Sequence, residues 1–194
     1  MVLGDLPRIL GSLIAERQHL GLDTHDELWV GEYHMAPLSN AAGPTSSPER
    51  TALLTDRQAG SGAPAANFEH GRIGARLIRI LDPLAAAAQL ELSLEFNLGS
   101  STDFRVPDLG LHRGSPTGTW INTAAIVVEV RSPDDETFEK FAFYFDHGVD
   151  EVLVADLVER TVTWFVRGAD SYVPAATSDL LSTTSRDTQS ALGW

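Results

Sequence analysis

Ala125-Ile126-Val127-Val128-Glu129-Val130-Arg131 is the stretch whose reading decides the fold. From Ala124 to Val130 it is apolar apart from one acid, the pattern of a central strand covered on both faces. A second run, Arg105-Val106-Pro107-Asp108-Leu109-Gly110-Leu111, also sets a single carboxylate among apolar residues. Burying a lone ionised carboxylate costs on the order of several kcal/mol unless a partner offsets it. The usual partners are a basic side chain or a hard cation that prefers oxygen ligands. Asp108 and Glu129 therefore read as half of a divalent-metal site. Arg131 follows Glu129 by two residues and shares its strand face, so acid, acid and base are expected together. The structural alternative is that Asp108 closes a strand in a turn and Glu129 pairs with Arg131 or Arg105.

Outward from this strand, Ser132-Pro133-Asp134-Asp135 reads as a helix start, with a capping serine, proline at the first helical position and acids at the positive end of the dipole. The helix is expected to run to His147 before Gly148, with Phe138, Phe141 and Phe145 as its core stripe and Lys140 and Tyr144 on an adjacent one. Two strands follow, Glu151 to Asp156 and Thr161 to Val166, and then a polar tail over 174–194. Upstream, Leu90 to Asn97 alternates as a half-buried strand. Leu98 to Asp103 reads as a loop. Glu69 to Leu84 reads as a helix with Ile73, Leu77, Ile80 and Leu84 buried and Arg72, Arg76 and Arg79 on a neighbouring stripe. Glu27 to Pro37 is extended, with a turn or bulge at Gly31-Glu32, and Asp5 to Leu20 is an amphipathic helix. The Ala-, Gly-, Pro- and Ser-rich segment 36–67 reads as a long surface loop and a candidate lid. The order predicts an α/β fold: one domain over 1–194, with a mixed, curved β-sheet flanked by helices and a core over about 27–167.

Bulk properties set limits on function. A chain of 194 residues fits one domain that buries about 70% of its unfolded surface. The absence of cysteine excludes disulfides, thiolate catalysis and zinc held on sulfur. No apolar run approaches the ~20 residues of a membrane span, and Met1 to Arg8 lacks the build of a signal peptide, so a cytoplasmic protein without membrane contact is expected. A formal net charge of −13 opposes non-specific binding to nucleic acid or anionic membranes. Glycine-rich phosphate loops, Ser-His-Asp spacing and the H-E-x-x-H pattern are all absent.

Pro107-Asp108, then Val128-Glu129-Val130-Arg131-Ser132-Pro133, then Glu139-Lys140 through Tyr144 to Gly148-Val149 and Val154-Ala155-Asp156, resembles the Uma family of restriction-endonuclease-like proteins. That family reads P-D, E-V-x-S-P-S, E-K-x-x-x-Y and G-V-x-E-Y-W-L-V-D. Glu27-Leu28-Trp29-Val30-Gly31-Glu32 resembles its E-L-x-x-G-E hairpin, and Glu69-His70 opens a helix as in the family. Three departures stand out. The segment between Pro133 and Lys140 is shorter and carries Asp134 and Asp135 in place of basic residues. Arg131 stands where the family has an apolar residue, and the 36–67 loop is longer.

The resemblance implies the PD-(D/E)XK nuclease core and a Mg²⁺- or Mn²⁺-dependent endonuclease acting on DNA, with a homodimer expected because many proteins of this fold dimerise. Asp108 and Glu129 would bind metal, and the peptide carbonyl of Val130 would add a ligand. Glu32, matching the hairpin glutamate, is a candidate third acid or an ordinary exposed one. Lys140 would orient the attacking water and offset charge on the phosphate. Arg131 competes for that place, although a guanidinium stays protonated and cannot act as a base. Tyr144 and His70 are candidate accessory residues; a histidine on the apolar side of its helix otherwise reads as a hydrogen-bonded core residue. The alternative function is a catalytically silent nuclease-fold domain that acts as a binding module.

Overall fold

The computed structural model describes residues 6–19, 26–29, 32–34, 68–133 and 135–194. The expected α/β class stands. In chain order the elements are α1 (Leu6–His19), β1 (Glu27–Trp29), β2 (Glu32–His34), α2 (Phe68–Ala87), β3 (Leu90–Leu94), β4 (Asn97–Ser100), β5 (Asp103–Arg105), β6 (Leu109–Arg113), β7 (Trp120–Ile121), β8 (Ile126–Arg131), α3 (Phe141–Asp146), β9 (Glu151–Asp156), β10 (Thr161–Arg167), β11 (Tyr172–Ala175) and α4 (Ser185–Leu192). The segment read as a surface loop and lid, 36–67, lies outside the described residues.

The strands divide between two mixed sheets, β2-β1-β5-β4-β7 and β11-β10-β9-β8-β6-β3. The cause lies in the stretch that alternates over 90–97. It contains two strands, because Glu95 adopts φ 25°, a left-handed conformation unfavourable for a side-chain-bearing residue, and turns the chain from one sheet into the other. The N–H of Glu95 donates to the carbonyl of Asp108 at 3.1 Å, which anchors the crossover beside one of the two sequence-marked acids. The expected loop over 98–103 is the β4–β5 hairpin, with Leu98 opposite Arg105.

β8 occupies the centre of the larger sheet. It runs antiparallel to β6 and parallel to β9, with Leu109 opposite Val128, Glu129 opposite Val154 and Arg131 opposite Asp156. Its two faces pack differently. Ile126, Val128 and Val130 join Leu153, Ala155 and Trp164 under α2, whose buried stripe is Ile73, Leu77, Leu81 and Ala85; Ile80 and Leu84 flank that stripe. Val127 joins Val152 and Val154 on the opposite face, under Phe143 and Tyr144 of α3. The glycine two residues past Asp108 is required by packing: a Cβ on Gly110 would lie 2.3 Å from the ring of Phe96.

Two further expectations are corrected. The helix expected over 133–147 is confined to Phe141–Asp146; before it, Pro133 and 137–140 form turns and Asp135 and Glu136 are irregular. The hydroxyl of Ser132 that would cap it faces His70 at 3.2 Å, and Thr137 donates to Asp135 at 2.7 Å, local bonds that compete with helical pairing. The buried aromatic residues of α3 are Phe143 and Tyr144, while Phe138 stands exposed. The tail over 174–194 is structured. Leu181 and Leu192 enter the main core, Thr184 caps α4 by accepting from the N–H of Asp187, and Arg76 donates to the carbonyls of Leu192 and Gly193 at 2.6 and 2.5 Å. Arg76 is thereby committed to the end of a helix. No helix among the described residues is long and apolar enough to cross a membrane.

Candidate functional site

Asp108 is the last residue before β6 and sits where the β6–β8 ladder ends at Leu109 opposite Val128. Its side chain continues that pairing. Oδ2 accepts from the N–H of Val130 at 2.6 Å, and Oδ1 lies 2.9 Å from Nε2 of His70. His70, in the first turn of α2, faces Ser132 through Nδ1. Burial alone would lower the His70 pKa, but the hydrogen bond and charge of Asp108 outweigh it and raise the value. A carboxylate held by a backbone N–H and an imidazole is fixed in orientation. Asp108 thus opens β6 from a bend rather than closing a strand, and from there it reaches Glu129's strand.

Glu129 lies on the α3 face of β8 and is 4% exposed. Tyr144 donates to its Oε1, and Nζ of Lys140 stands 3.7 Å from the same oxygen. Its partners are therefore Lys140 and Tyr144, not the arginines considered from sequence. Lys140 approaches from the N-cap of α3 and donates to Oε1 of Glu27 at 2.9 Å. Glu27 opens the hairpin motif noted in the sequence, which singled out Glu32 and not Glu27 as a site residue. On β1, its Oε1 also accepts from the N–H of Val106 at 2.7 Å and its Oε2 from the indole of Trp29 at 2.7 Å. The argument that singled out Asp108 and Glu129, a single carboxylate among apolar residues, did not reach Glu27, because Asp26 and His25 precede it and make that end of the run polar.

Electrostatics follow from enclosure. Burial pushes the Glu129 carboxyl up to about 8, and the charges of Asp108 and Glu27 push the same way against the pull of Lys140. For Lys140, burial opposes the charge, but Glu129 and Glu27 more than restore it, so the ammonium stays protonated at neutral pH. Burial and the neighbouring carboxylates hold the Tyr144 phenol protonated. Glu129 and Glu27 contact this one lysine, and Asp135 adds its charge.

Other expected residues are placed elsewhere. Arg131 shares the strand face of Glu129, yet its guanidinium bonds Asp156 on β9 at 2.5 Å. Asp156 is fixed in turn by the N–H groups of Val158 and Glu159, both at 2.9 Å. The expected grouping of acid, acid and base is therefore met by Lys140, not Arg131. Glu32 stands exposed on β2, opposite Trp29 and two pairs nearer the turn than Glu27 and His34. Glu27 is the hairpin acid that enters the cluster. Among the described residues, no group of three or more His, Asp or Glu side chains forms a ready-made metal cage.

Among solved structures, the chain is similar to a protein from Anabaena variabilis ATCC 29413 described as a putative nuclease belonging to DUF820. The two are 13% identical, with a TM-score of 0.57, and the match covers 86% of this chain and 90% of the other. At that identity the likeness concerns the fold. No curated protein matches the chain. The family described as "Uma2: Putative restriction endonuclease" matches residues 48–192, a span that holds Asp108, Glu129, Val130, Lys140 and Tyr144. With well over half its length inside that match, the chain belongs to the Uma2 family.

Proposed function

We propose that this chain is a divalent-metal-dependent endonuclease that hydrolyses phosphodiester bonds in DNA. The observation that carries the reading is a buried Glu129 set beside Asp108 at the end of β8, with a charged Lys140 at 3.7 Å. The family description and that of the Anabaena structure support the same class of chemistry.

The donor set suits a hard cation. Glu129 is held up to about 8 because burial and the charges of Asp108 and Glu27 exceed what Lys140 offsets, so the cluster is short of positive charge. The carboxylates of Asp108 and Glu129 and the carbonyl of Val130 would hold Mg²⁺ or Mn²⁺, all oxygen donors of the kind these ions prefer. Such an ion supplies a more acidic bound water and a polarised phosphate. The chain's own residues do the rest. Val130 N–H and His70 fix the carboxylate of Asp108, and Tyr144 fixes that of Glu129, so neither must reorganise during reaction. Lys140, protonated and restrained by Glu27, orients the attacking water and offsets charge on the phosphate; it does not remove a proton. Arg131 is withdrawn from this role by Asp156.

A second reading, a silent nuclease-fold binding module, is favoured by one observation. Lys140 lies closer to Glu27 than to Glu129, 2.9 against 3.7 Å, in a chain of net charge −13.

Melting curves and plasmid nicking on the same preparation test both. Mg²⁺ or Mn²⁺ at a hundredfold excess over Kd is expected to stabilise the protein by about 2.7 kcal/mol, and Asp108→Asn or Glu129→Gln to abolish that gain together with nicking. Metal stabilisation without nicking supports the binding module. No metal effect on melting, with a Glu129→Gln protein that unfolds, makes Glu129 a structural residue and ends the catalytic reading.

A further inference from the structure

Phe138 and Trp120 are exposed aromatic residues whose rings are nonetheless held by a neighbouring ring, and only Phe138 of the two also has a guanidinium beside it. Phe138 is 47% exposed, yet its ring is held edge-on against Phe141 at 5.3 Å and against Phe165 at 6.1 Å. Two neighbouring rings restrict the positions this side chain can take. The guanidinium of Arg131 lies 5.4 Å from its ring centroid and is itself tethered by Asp156, which two backbone N–H groups hold in place. The result is a fixed, partly open platform of one aromatic ring and one guanidinium plane. Arg131 follows Glu129 by two residues on β8 and shares its face, and Phe138 lies in the turn that leads through Lys140 into α3, so the platform stands on the side of the sheet that holds the candidate site.

We propose that Phe138 and Arg131 form a stacking subsite for an unpaired nucleobase beside the phosphodiester to be cut. The subsite rests on the nuclease reading and adds a substrate preference to it. Two physical arguments identify the ligand. A net charge of −13 deprives the chain of the phosphate attraction on which most DNA-binding surfaces rely, so affinity must come from contacts that do not depend on net charge. Base stacking is such a contact, favourable for any base, and guanidinium planes take part in it. Preordering of both members means that little conformational entropy is lost when a base arrives. A base within an intact duplex has its faces covered by its neighbours, so the subsite favours gapped, flapped or single-stranded DNA over fully paired DNA. Pairing with Asp156 neutralises Arg131, which suits a stacking role better than a phosphate contact.

Fluorescence anisotropy with the full chain in Ca²⁺ tests the proposal, using two labelled oligonucleotides, a fully paired duplex and the same duplex with a central single-stranded gap. The wild type is expected to bind the gapped probe more tightly by about fivefold or more, in line with the energy of one stacked base. Phe138→Ala and Phe138→Leu should both lose that preference and Phe138→Trp should keep it. The leucine variant preserves apolar volume, so it reports on stacking even where the alanine variant folds poorly. A wild-type protein with equal affinity for the two probes, or a leucine variant that keeps the preference, overturns the subsite. If plasmid nicking in Mn²⁺ persists in either case, the nuclease reading stands without it. Absence of binding to both probes together with absence of nicking overturns the nuclease reading and the subsite alike.

Discussion

Val128 and Glu129 are neighbours on one strand and are enclosed to nearly the same degree, 0% and 4% exposed, but they face different interiors. Under α2, Val128 shares with Leu77, Leu81 and Trp164 a cluster built from apolar side chains. Under α3, Glu129 meets a phenol, an ammonium and the charges of two further carboxylates. One face gains stability by removing apolar surface from water. The other spends stability to keep charge in an enclosed place. A single β-strand can separate these tasks because successive side chains point to opposite faces.

The comparison is broken most severely at Lys140. Lys140→Met leaves Glu27 and Glu129 enclosed without their cation and is expected to lower unfolding free energy by about 3 kcal/mol, read by urea denaturation near neutral pH. If the loss is negligible, the charged face does not depend on the ion pair. Leu77→Ala, on the apolar face, should cost about 2–4 kcal/mol by cavity formation while leaving any metal-induced rise in melting temperature intact. The two substitutions resemble each other in size and differ in what survives them.

The pH dependence of stability sharpens the contrast. The Glu129 carboxyl is raised from an ordinary 4.5 to about 8 in the folded chain. Between those values the folded state retains a proton that the unfolded state has released, so this group makes stability fall as pH rises from about 4.5 to about 8. Glu129→Gln should flatten that part of the urea-midpoint profile; an unchanged slope would mean that Glu129 is ionised throughout the range. The smallest effect is expected at Glu32→Gln. This exposed residue should leave both the denaturation midpoint and the metal response unchanged, whereas Glu27→Gln should disturb both. A metal response lost with Glu32 alone would return the third-acid role to that position.

Much of this contrast was readable before the chain was folded. The apolar run at 124–130 marked the central strand, and a carboxylate inside it marked the charged face, because burial of charge demands a partner wherever it occurs. The capping pattern at Thr184 and Asp187, with Gly193 nine residues past Thr184, was also present in the polar tail. It lacked an apolar stripe strong enough to stand out, because only Leu181 and Leu192 of that region are buried in the main core.

Sequence by itself determined the α/β class, the central position of β8, a helix over Glu69 to Leu84 that the structure extends to Phe68–Ala87, and the shared stripe of Lys140, now the N-cap of α3, and Tyr144 within it, since all of these follow from local periodicity and composition. Tertiary structure decided which charges meet. Glu27 rather than Glu32 reaches Lys140 because hairpin register, not acid content, sets the distance to the cluster. His70 reaches Asp108 across 38 residues because α2 packs over β8. Arg131 is lost to the site because the parallel register of β8 and β9 sets Asp156 opposite it, an ion pair no local pattern encodes. Local sequence carries the propensity of each element and the cost of burying each group. The partner that offsets that cost is chosen by contacts between residues far apart in the chain, which exist only once the sheets have formed.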